Sequence, residues 1–297
     1  MKEIGRIRKG IGGFYYVEAA GQQYECKARG LFRKQKITPV AGDIVRIEPA
    51  DDESSTIVEI LPRKNSLIRP PVANLDQLVV VISTCEPAPS VRMIDKIIAI
   101  AEDKGIEPVV VFSKTDLRSA EKLTDIYRHA GLPTFTVAQD SPENHDALRA
   151  LLPGKLTVFT GNSGVGKSTL LNALFQELEL ETGEISQKLG RGRHTTRQVE
   201  LYPVEGGGYV ADTPGFSTLD IERYERVKKE NLPFAFREFA PYLTQCQFAS
   251  CAHIKEKGCA VLRAVEEGEI EPSRHESYVS MYNEVKDLKE WAMRQPT

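Results

Sequence analysis

Residues 109–117 read Val109-Val110-Val111-Phe112-Ser113-Lys114-Thr115-Asp116-Leu117, and residues 161–169 read Gly161-Asn162-Ser163-Gly164-Val165-Gly166-Lys167-Ser168-Thr169. The first is an apolar run that ends in a polar residue and continues as Lys-x-Asp, the pattern of a strand carrying a guanine-reading loop. The second fits G-x-x-x-x-G-K-[ST] and lies between an apolar strand, LTVFT, and a helix, STLLNALF. In most guanine-nucleotide proteins the base-reading loop follows the phosphate loop at some distance. Here it precedes it by about fifty residues. That order decides the fold.

The chemistry expected of each loop follows from its residue types. Glycines let backbone N–H groups curl around phosphates, helped by the positive end of the following helix. Lys167 should reach the β- and γ-phosphates, and the Ser168 hydroxyl should ligate Mg²⁺. Asp116 can accept from guanine N1–H and the 2-amino group, whereas adenine presents a lone pair at N1. A buried mismatch of that kind discriminates by about 10⁴. The Lys114 stem can lie along the base, and Thr115 completes the loop. Ser113 stands where Asn is usual and can make fewer bonds to the phosphate loop, so guanine selectivity should survive with a modest loss of affinity. After the next strand, Val137 and Ala138 can bring a backbone N–H near guanine O6.

Two further motifs follow. Asp212-Thr213-Pro214-Gly215 ends the strand YVA. There an Asp can hold Mg²⁺ through water, and the Gly215 N–H can sense the γ-phosphate. Between the phosphate loop and this motif lies Gly190-Arg191-Gly192-Arg193-His194-Thr195-Thr196-Arg197. Thr196, or its neighbour Thr195, can complete the Mg²⁺ shell, as a switch I threonine does. The elements are those of a Ras-like domain rotated in sequence, a circular permutation that is feasible because chain termini usually lie close together at the surface.

Around this centre, the chain reads as three regions. Residues 1–66 hold five short β segments (EIGRIR, GFYYVEA, QYECKA, GDIVRIE and TIVEI) separated by turn-formers, the size of an OB-type barrel or another small barrel. Residues 67–222 alternate continuous apolar strands with helical stretches near 91–104, 119–130, 143–151 and 167–180. They indicate a parallel sheet that closes with a hairpin around Glu205-Gly206-Gly207. Residues 223–297 read as mainly helical over 223–240 and 275–294. In the second stretch Tyr278, Met281, Tyr282, Val285 and Leu288 form one apolar stripe. Within this last region, Cys246-x4-Cys251-x-His253-x5-Cys259 offers three thiolates and an imidazole, a closed tetrahedral set suited to one structural Zn²⁺. Cys26 and Cys85 lie outside this set and are expected in the core.

Composition bounds the rest. A chain of 297 residues with 41% hydrophobic and 27% charged residues can bury a sizeable core. No apolar run reaches the ~20 residues a membrane helix needs. The opening MKEIGRIRKG has no apolar signal region, so a cytoplasmic protein without membrane attachment is expected. Five cysteines, three of them crowded together, fit a reducing compartment better than a disulfide framework. The net charge is −3, but residues 1–46 carry ten Lys/Arg against four acids, a pointer to a polyanion.

Permuted order, GNSGVGKST, DTPG, HTT and C-x4-C-x-H-x5-C together resemble the ribosome-small-subunit-dependent GTPase A family, RsgA, also called YjeQ or YloQ. The resemblance spans nearly the whole chain. It implies an OB domain, a permuted GTPase domain and a zinc domain. It further implies GTP hydrolysis stimulated by the small (30S) ribosomal subunit during its late maturation, with rRNA contact. Ser113 departs from the family's usual Asn. The position after D-x-x-G, a Gln in Ras, is Phe216, which cannot orient water. His194 is the nearest substitute, and the resemblance also points to the switch I histidine. The expected partners are therefore GTP or GDP, the small subunit and its rRNA, with the chain acting as a monomer. A competing reading is a nucleotide-gated rRNA-binding scaffold in which hydrolysis is incidental.

Overall fold

The computed structural model describes residues 2–34, 37–50, 54–138, 143–176, 199–212, 221–222 and 224–288. Five strands come first: β1 (Glu3–Ile11), β2 (Phe14–Ala19), β3 (Gln22–Ala28), β4 (Ile44–Glu48) and β5 (Ser55–Ile60), with a short helix α1 (Gly30–Lys34) before β4. A two-stranded pair, β6 (Ser66–Leu67) and β7 (Val72–Ala73), leads on to β8 (Gln77–Ser83), α2 (Val91–Asp103), β9 (Glu107–Ser113), α3 (Glu121–His129) and β10 (Thr134–Thr136). Next are α4 (Glu143–Arg149), β11 (Leu156–Thr160), α5 (Lys167–Gln176), β12 (Glu200–Val204) and β13 (Gly208–Asp212). The C-terminal region holds three short 3₁₀ turns, Leu232–Ala235, Arg237–Phe239 and Leu243–Gln245, then α6 (Ala260–Glu266) and α7 (Pro272–Val285). The chain divides into two compact units. One comprises Met1–Gln77, His145–Thr160 and Lys167–Phe216, the other Leu78–Asn144, Gly161–Gly166 and Ser217–Thr297.

In the first unit, the five N-terminal strands close a barrel in the order β1-β2-β3-β5-β4. Every pairing is antiparallel except β3 with β5, which is parallel. This is the OB-type barrel anticipated from the spacing of the turns. Strand alternation sends Ile7, Val17, Cys26, Val45, Ile47 and Ile57 inward, all at 0% exposure. Cys26 is thus the core residue expected, whereas Cys85 is only half-buried.

The same unit orders its other strands β11-β13-β12, with β11 parallel to β13 and β12 antiparallel to it. The β12–β13 hairpin turns at Glu205-Gly206-Gly207, where φ values of +83 and +87 at the two glycines match a turn that L side chains resist. The barrel is fastened to β12. Arg8 donates to the Leu201 carbonyl from Nε at 3.0 Å and Nη2 at 2.9 Å, and Lys9 pairs with Glu200 at 2.8 Å. The Arg6 guanidinium lies 5.3 Å from the Tyr209 ring centroid. Three of the N-terminal basic residues therefore act inside the unit.

In the second unit the strands run β10-β9-β8, β10 parallel to β9, and β8 is buried throughout, as its near-continuous apolar sequence requires. α2 starts at Ser90, whose side chain accepts from the Met93 N–H, and buries Ile94, Ile97, Ile98 and Ile100 on one side. Its polar positions meet the C-terminal region: Lys96 pairs with Glu222 at 2.9 Å and Glu284 at 3.0 Å, and Glu102 with Arg237 at 2.5 Å. At the centre of this packing Arg274, 1% exposed, donates to Asp95 at 2.7 Å and to Glu238 at 2.7 and 3.2 Å. Its guanidinium also stacks 4.7 Å from the Phe236 ring centroid. Burial alone would lower the Arg274 pKa, but Asp95 and Glu238 more than offset that, so the guanidinium keeps its charge.

Of the helix that composition suggested over 223–240, the described residues 225–240 form no α-helix. Residues 225–231 carry no helix, and the following stretch makes two 3₁₀ turns. Pro233 has no N–H to donate to a continuing α-helical ladder. Three residues per 3₁₀ turn set Leu232, Ala235 and Phe236, then Phe239, on the buried side. Phe236, Phe239 and Tyr278 pack there with ring centroids 5.0 to 5.4 Å apart. Of the predicted stripe, Tyr278, Met281 and Val285 of α7 are buried, whereas Tyr282 is half-buried and Leu288 lies past the end of the helix.

Candidate nucleotide and metal sites

Ser113 is the last residue of β9, only 4% exposed, and its hydroxyl faces two carbonyls, Val165 O at 2.5 Å and Ile82 O at 3.2 Å. The shorter side chain therefore still reaches the phosphate loop, through the Val165 carbonyl. Lys114 then turns the chain with φ +57, and its Nζ donates to the Glu86 carbonyl. The Lys114 carbonyl accepts from the Leu117 and Arg118 amides at 3.1 and 3.3 Å, closing a turn that holds Asp116. Asp116 is exposed, and no hydrogen bond holds its carboxylate among the described residues. On the neighbouring loop the Val137 amide is taken by Phe112 O at 2.7 Å, and the Val137 carbonyl accepts from Thr115 N at 3.4 Å. Of the two amides expected near a guanine O6, that leaves Ala138's as the donor.

The phosphate loop explains its own glycines. A Cβ on Gly161 would lie 2.7 Å from the Val81 carbonyl and 2.9 Å from the Val165 Cγ2, so a side chain cannot enter without moving backbone. Gly164 and Gly166 take φ +82 and +88. Ser163 and Gly164 are exposed, while Val165 is buried and pins the loop. Asn162 donates to the Met93 sulfur at 3.7 Å. A cavity of about 190 Å³ lies beside the loop, lined by Ser83, Pro87, Met93, Asn162 and Val165. Lys167, Ser168 and Thr169 form the first turn of α5, with both hydroxyl residues exposed. Asp212 is the last residue of β13. His194, Thr195, Thr196 and Gly215 lie outside the described residues.

Cys246, Cys251, His253 and Cys259 bring their ligand atoms within 4.8 Å of one another. Nδ1 of His253 stands 3.5 Å from both the Cys246 and Cys259 sulfurs, which are 3.9 Å apart. Sulfurs held at that spacing, with a nitrogen facing them, suit a tetrahedral ion bonded at roughly 2.0–2.3 Å. The loop is built for the purpose. Glu256 accepts from the amides of Ala252, Ile254 and Lys255, and the Ala260 amide points at Cys246 Sγ at 3.4 Å. His275 and Tyr278 of α7 hold the His253 and Ala252 carbonyls at 2.7 and 2.8 Å. Burial pushes the Cys251 thiol up to about 12 and lowers the His253 pKa. A neutral imidazole is suited to ligate, and an incoming metal would displace the Cys251 proton as it binds.

Two family models match the chain: the RsgA N-terminal domain over residues 4–57 and the RsgA GTPase over residues 60–222. The chain belongs to the RsgA GTPase family. A relative named small ribosomal subunit biogenesis GTPase RsgA, from Caldanaerobacter subterraneus subsp. tengcongensis, is 45% identical over 95% of this chain and 96% of its own. A protein of the same name from Streptococcus pyogenes is 46% identical, covering 96% of each chain. The crystal structure of YjeQ from Thermotoga maritima superimposes with a TM-score of 0.81 at 35% identity, over 97% of this chain and all of its own. That of YloQ, described as a circularly permuted GTPase, gives 0.79 at 33% identity, over 97% of this chain and 96% of its own. The rotated motif order is thus a property this RsgA-family chain shares with a solved relative.

Several basic residues of the N-terminal end have partners within the chain. Lys2 and Arg29 pair with Glu48, Arg46 with Glu59, and Lys27 stands over the Phe14 ring. With Arg8 and Lys9, five of these basic residues face an acidic partner, and Arg6 and Lys27 face aromatic rings. Among the described residues no helix is long and apolar enough to cross a membrane.

Proposed function

We propose that this chain is a GTPase that binds the small ribosomal subunit, contacts its rRNA and assists its late maturation, hydrolysing GTP to GDP and phosphate with stimulation by the subunit. One observation carries the nucleotide reading. The Ser113 hydroxyl bonded to Val165 O draws the base-reading and phosphate loops together, the arrangement that one guanine nucleotide needs. The ribosomal part rests on the relatives' names and family.

In this reading Ser113, Lys114, Thr115 and Asp116 read the base, with Val137 and Ala138 beside O6, and Gly161 to Thr169 cradle the phosphates. Ser168, Asp212 and Thr196, or Thr195 in its stead, hold Mg²⁺, which would neutralise developing charge on the phosphates. Gly215 senses the γ-phosphate and His194 orients water. Cys246, Cys251, His253 and Cys259 hold one structural Zn²⁺. The working domains are 1–66, 67–222 and 223–297, in a cytoplasmic monomer. The test is GTP hydrolysis by the purified chain with and without isolated small subunits. A several-fold rise with the small subunit and none with the large one is expected. Equal turnover in all three conditions would sink the ribosomal assignment, and failure to bind GTP at all would sink the nucleotide one.

A further inference from the structure

Among the described residues Asp116 has no hydrogen-bond partner, so the turn beneath it aims its carboxylate. That turn hangs on one atom, the Lys114 carbonyl oxygen. Besides the Leu117 and Arg118 amides, this oxygen accepts from Thr84 Oγ1 at 2.8 Å. Thr84 follows β8, is 2% exposed, and also donates its amide to the Ser113 carbonyl at 3.1 Å. It therefore grips two successive residues where β9 gives way to the base-reading turn. The grip has work to do there, because Lys114 sits at φ +57, a conformation that a side-chain-bearing residue resists. Nearby, Ser83 Oγ donates to the Glu86 carbonyl at 3.1 Å, the same oxygen that receives Lys114 Nζ. Residues 83–86 thus form a bracket around Lys114, with one contact on its main chain and one at the tip of its side chain.

We infer that Thr84 is a positioning residue for guanine recognition: its hydroxyl holds the Lys114 carbonyl and so fixes where the Asp116 carboxylate meets the base. The inference rests on the guanine-nucleotide reading proposed above. It acts before any nucleotide arrives, since every bond in the bracket exists within the protein. Preorganisation of this kind raises affinity by removing the cost of ordering the loop on binding. The contact falls on the base and not on the phosphates, so its loss should affect recognition of the 2-amino group more than triphosphate binding. Turnover at saturating nucleotide should be untouched.

The test uses the full-length chain with Thr84→Val, which keeps the shape and removes the donor, and Thr84→Ser, which keeps the donor. Affinities for GTP, inosine triphosphate and ATP are measured by displacement of a fluorescent guanine nucleotide. Losing one hydrogen bond should weaken GTP binding by about fivefold in the valine variant. Inosine triphosphate, which lacks the 2-amino group, should lose less, so the GTP-to-ITP ratio falls while kcat and the zinc content stay at wild-type values. The serine variant should match wild type. If the valine variant does not fold, Thr84→Ala takes its place against the same serine control. Unchanged GTP affinity and GTP-to-ITP ratio in the donor-less variant would overturn the inference, and so would a serine variant impaired as severely. A wild-type chain showing no preference for GTP over ATP would instead overturn the underlying nucleotide reading.

Discussion

Replacing Arg274 with Met tests the joint between α2 and the C-terminal region. The guanidinium is 1% exposed and serves two carboxylates, Asp95 at 0% and Glu238 at 6% side-chain exposure. Removing one partner of a buried ion pair costs about 3–5 kcal/mol, because the remaining charge is left without water or counter-charge. Two carboxylates are orphaned here, so the cost should sit near the upper end, about 5 kcal/mol. Methionine keeps contact with the Phe236 ring but supplies no donor. For a unit of this size that loss lowers the unfolding midpoint by about 10–20 °C. The deficit must also depend on pH. Burial raises the Asp95 pKa, and Arg274 is the largest influence opposing it, so without Arg274 the folded-state value climbs further. A carboxyl whose folded pKa exceeds its unfolded value contributes stability at low pH and loses it as pH rises through the folded pKa. The Arg274→Met deficit should therefore shrink from pH 8 to pH 5. Thermal unfolding followed by circular dichroism at the two pH values reads both effects. Adding Asp95→Asn and Glu238→Gln should recover much of the loss. A midpoint within 2 °C of wild type at pH 8 would refute the argument, since it would mean that water already reaches the two acids.

Two further outcomes follow from the site. Ser113→Ala removes the hydroxyl between β9 and Val165 O, and nucleotide titration should show GTP affinity falling about fivefold, the worth of one hydrogen bond of ~1 kcal/mol. Unchanged affinity would show that the two loops hold together without it. Strong chelation of protein purified with its metal should release one zinc per chain and expose the 246–259 loop to protease. GTP binding should persist, because none of the four ligands belongs to the base-reading or phosphate loop; joint loss of both properties would contradict a purely structural ion.

Legibility in the sequence followed the range of the interactions concerned. Barrel strands and the β8 to β13 segments were readable because alternation and apolar runs are local. The Cys3His set was readable because four ligands fall within fourteen positions. Residues 225–239 misled, since their composition suits a helix, whereas Pro233 and the packing of Phe236 and Phe239 select 3₁₀ turns. In the sequence, Arg274 is one more charged residue in a helical stretch. Its partners stand 179 and 36 residues away, and nothing in its neighbourhood announces them. Thr84 was equally silent, a single hydroxyl after an apolar strand. Ser113 is visible in the sequence as a short polar residue ending an apolar strand, but its reach to Val165 O depends on how closely the two loops approach, which no local pattern encodes.

The staple from Arg8 to Leu201 has a consequence for how the chain keeps to itself. Among the described residues β12 is the last strand in its row, and an outermost strand offers unpaired carbonyls to any other extended chain that drifts past. Arg8 occupies the Leu201 carbonyl with two N–H groups, and Lys9 ties up the Glu200 side chain alongside. The barrel is thus a guard on an exposed flank as well as a module in its own right. A chain trimmed to begin after the barrel would keep its nucleotide motifs, yet it would uncover a strand primed to recruit copies of itself. Its solubility would then be decided by two residues that had been cut away.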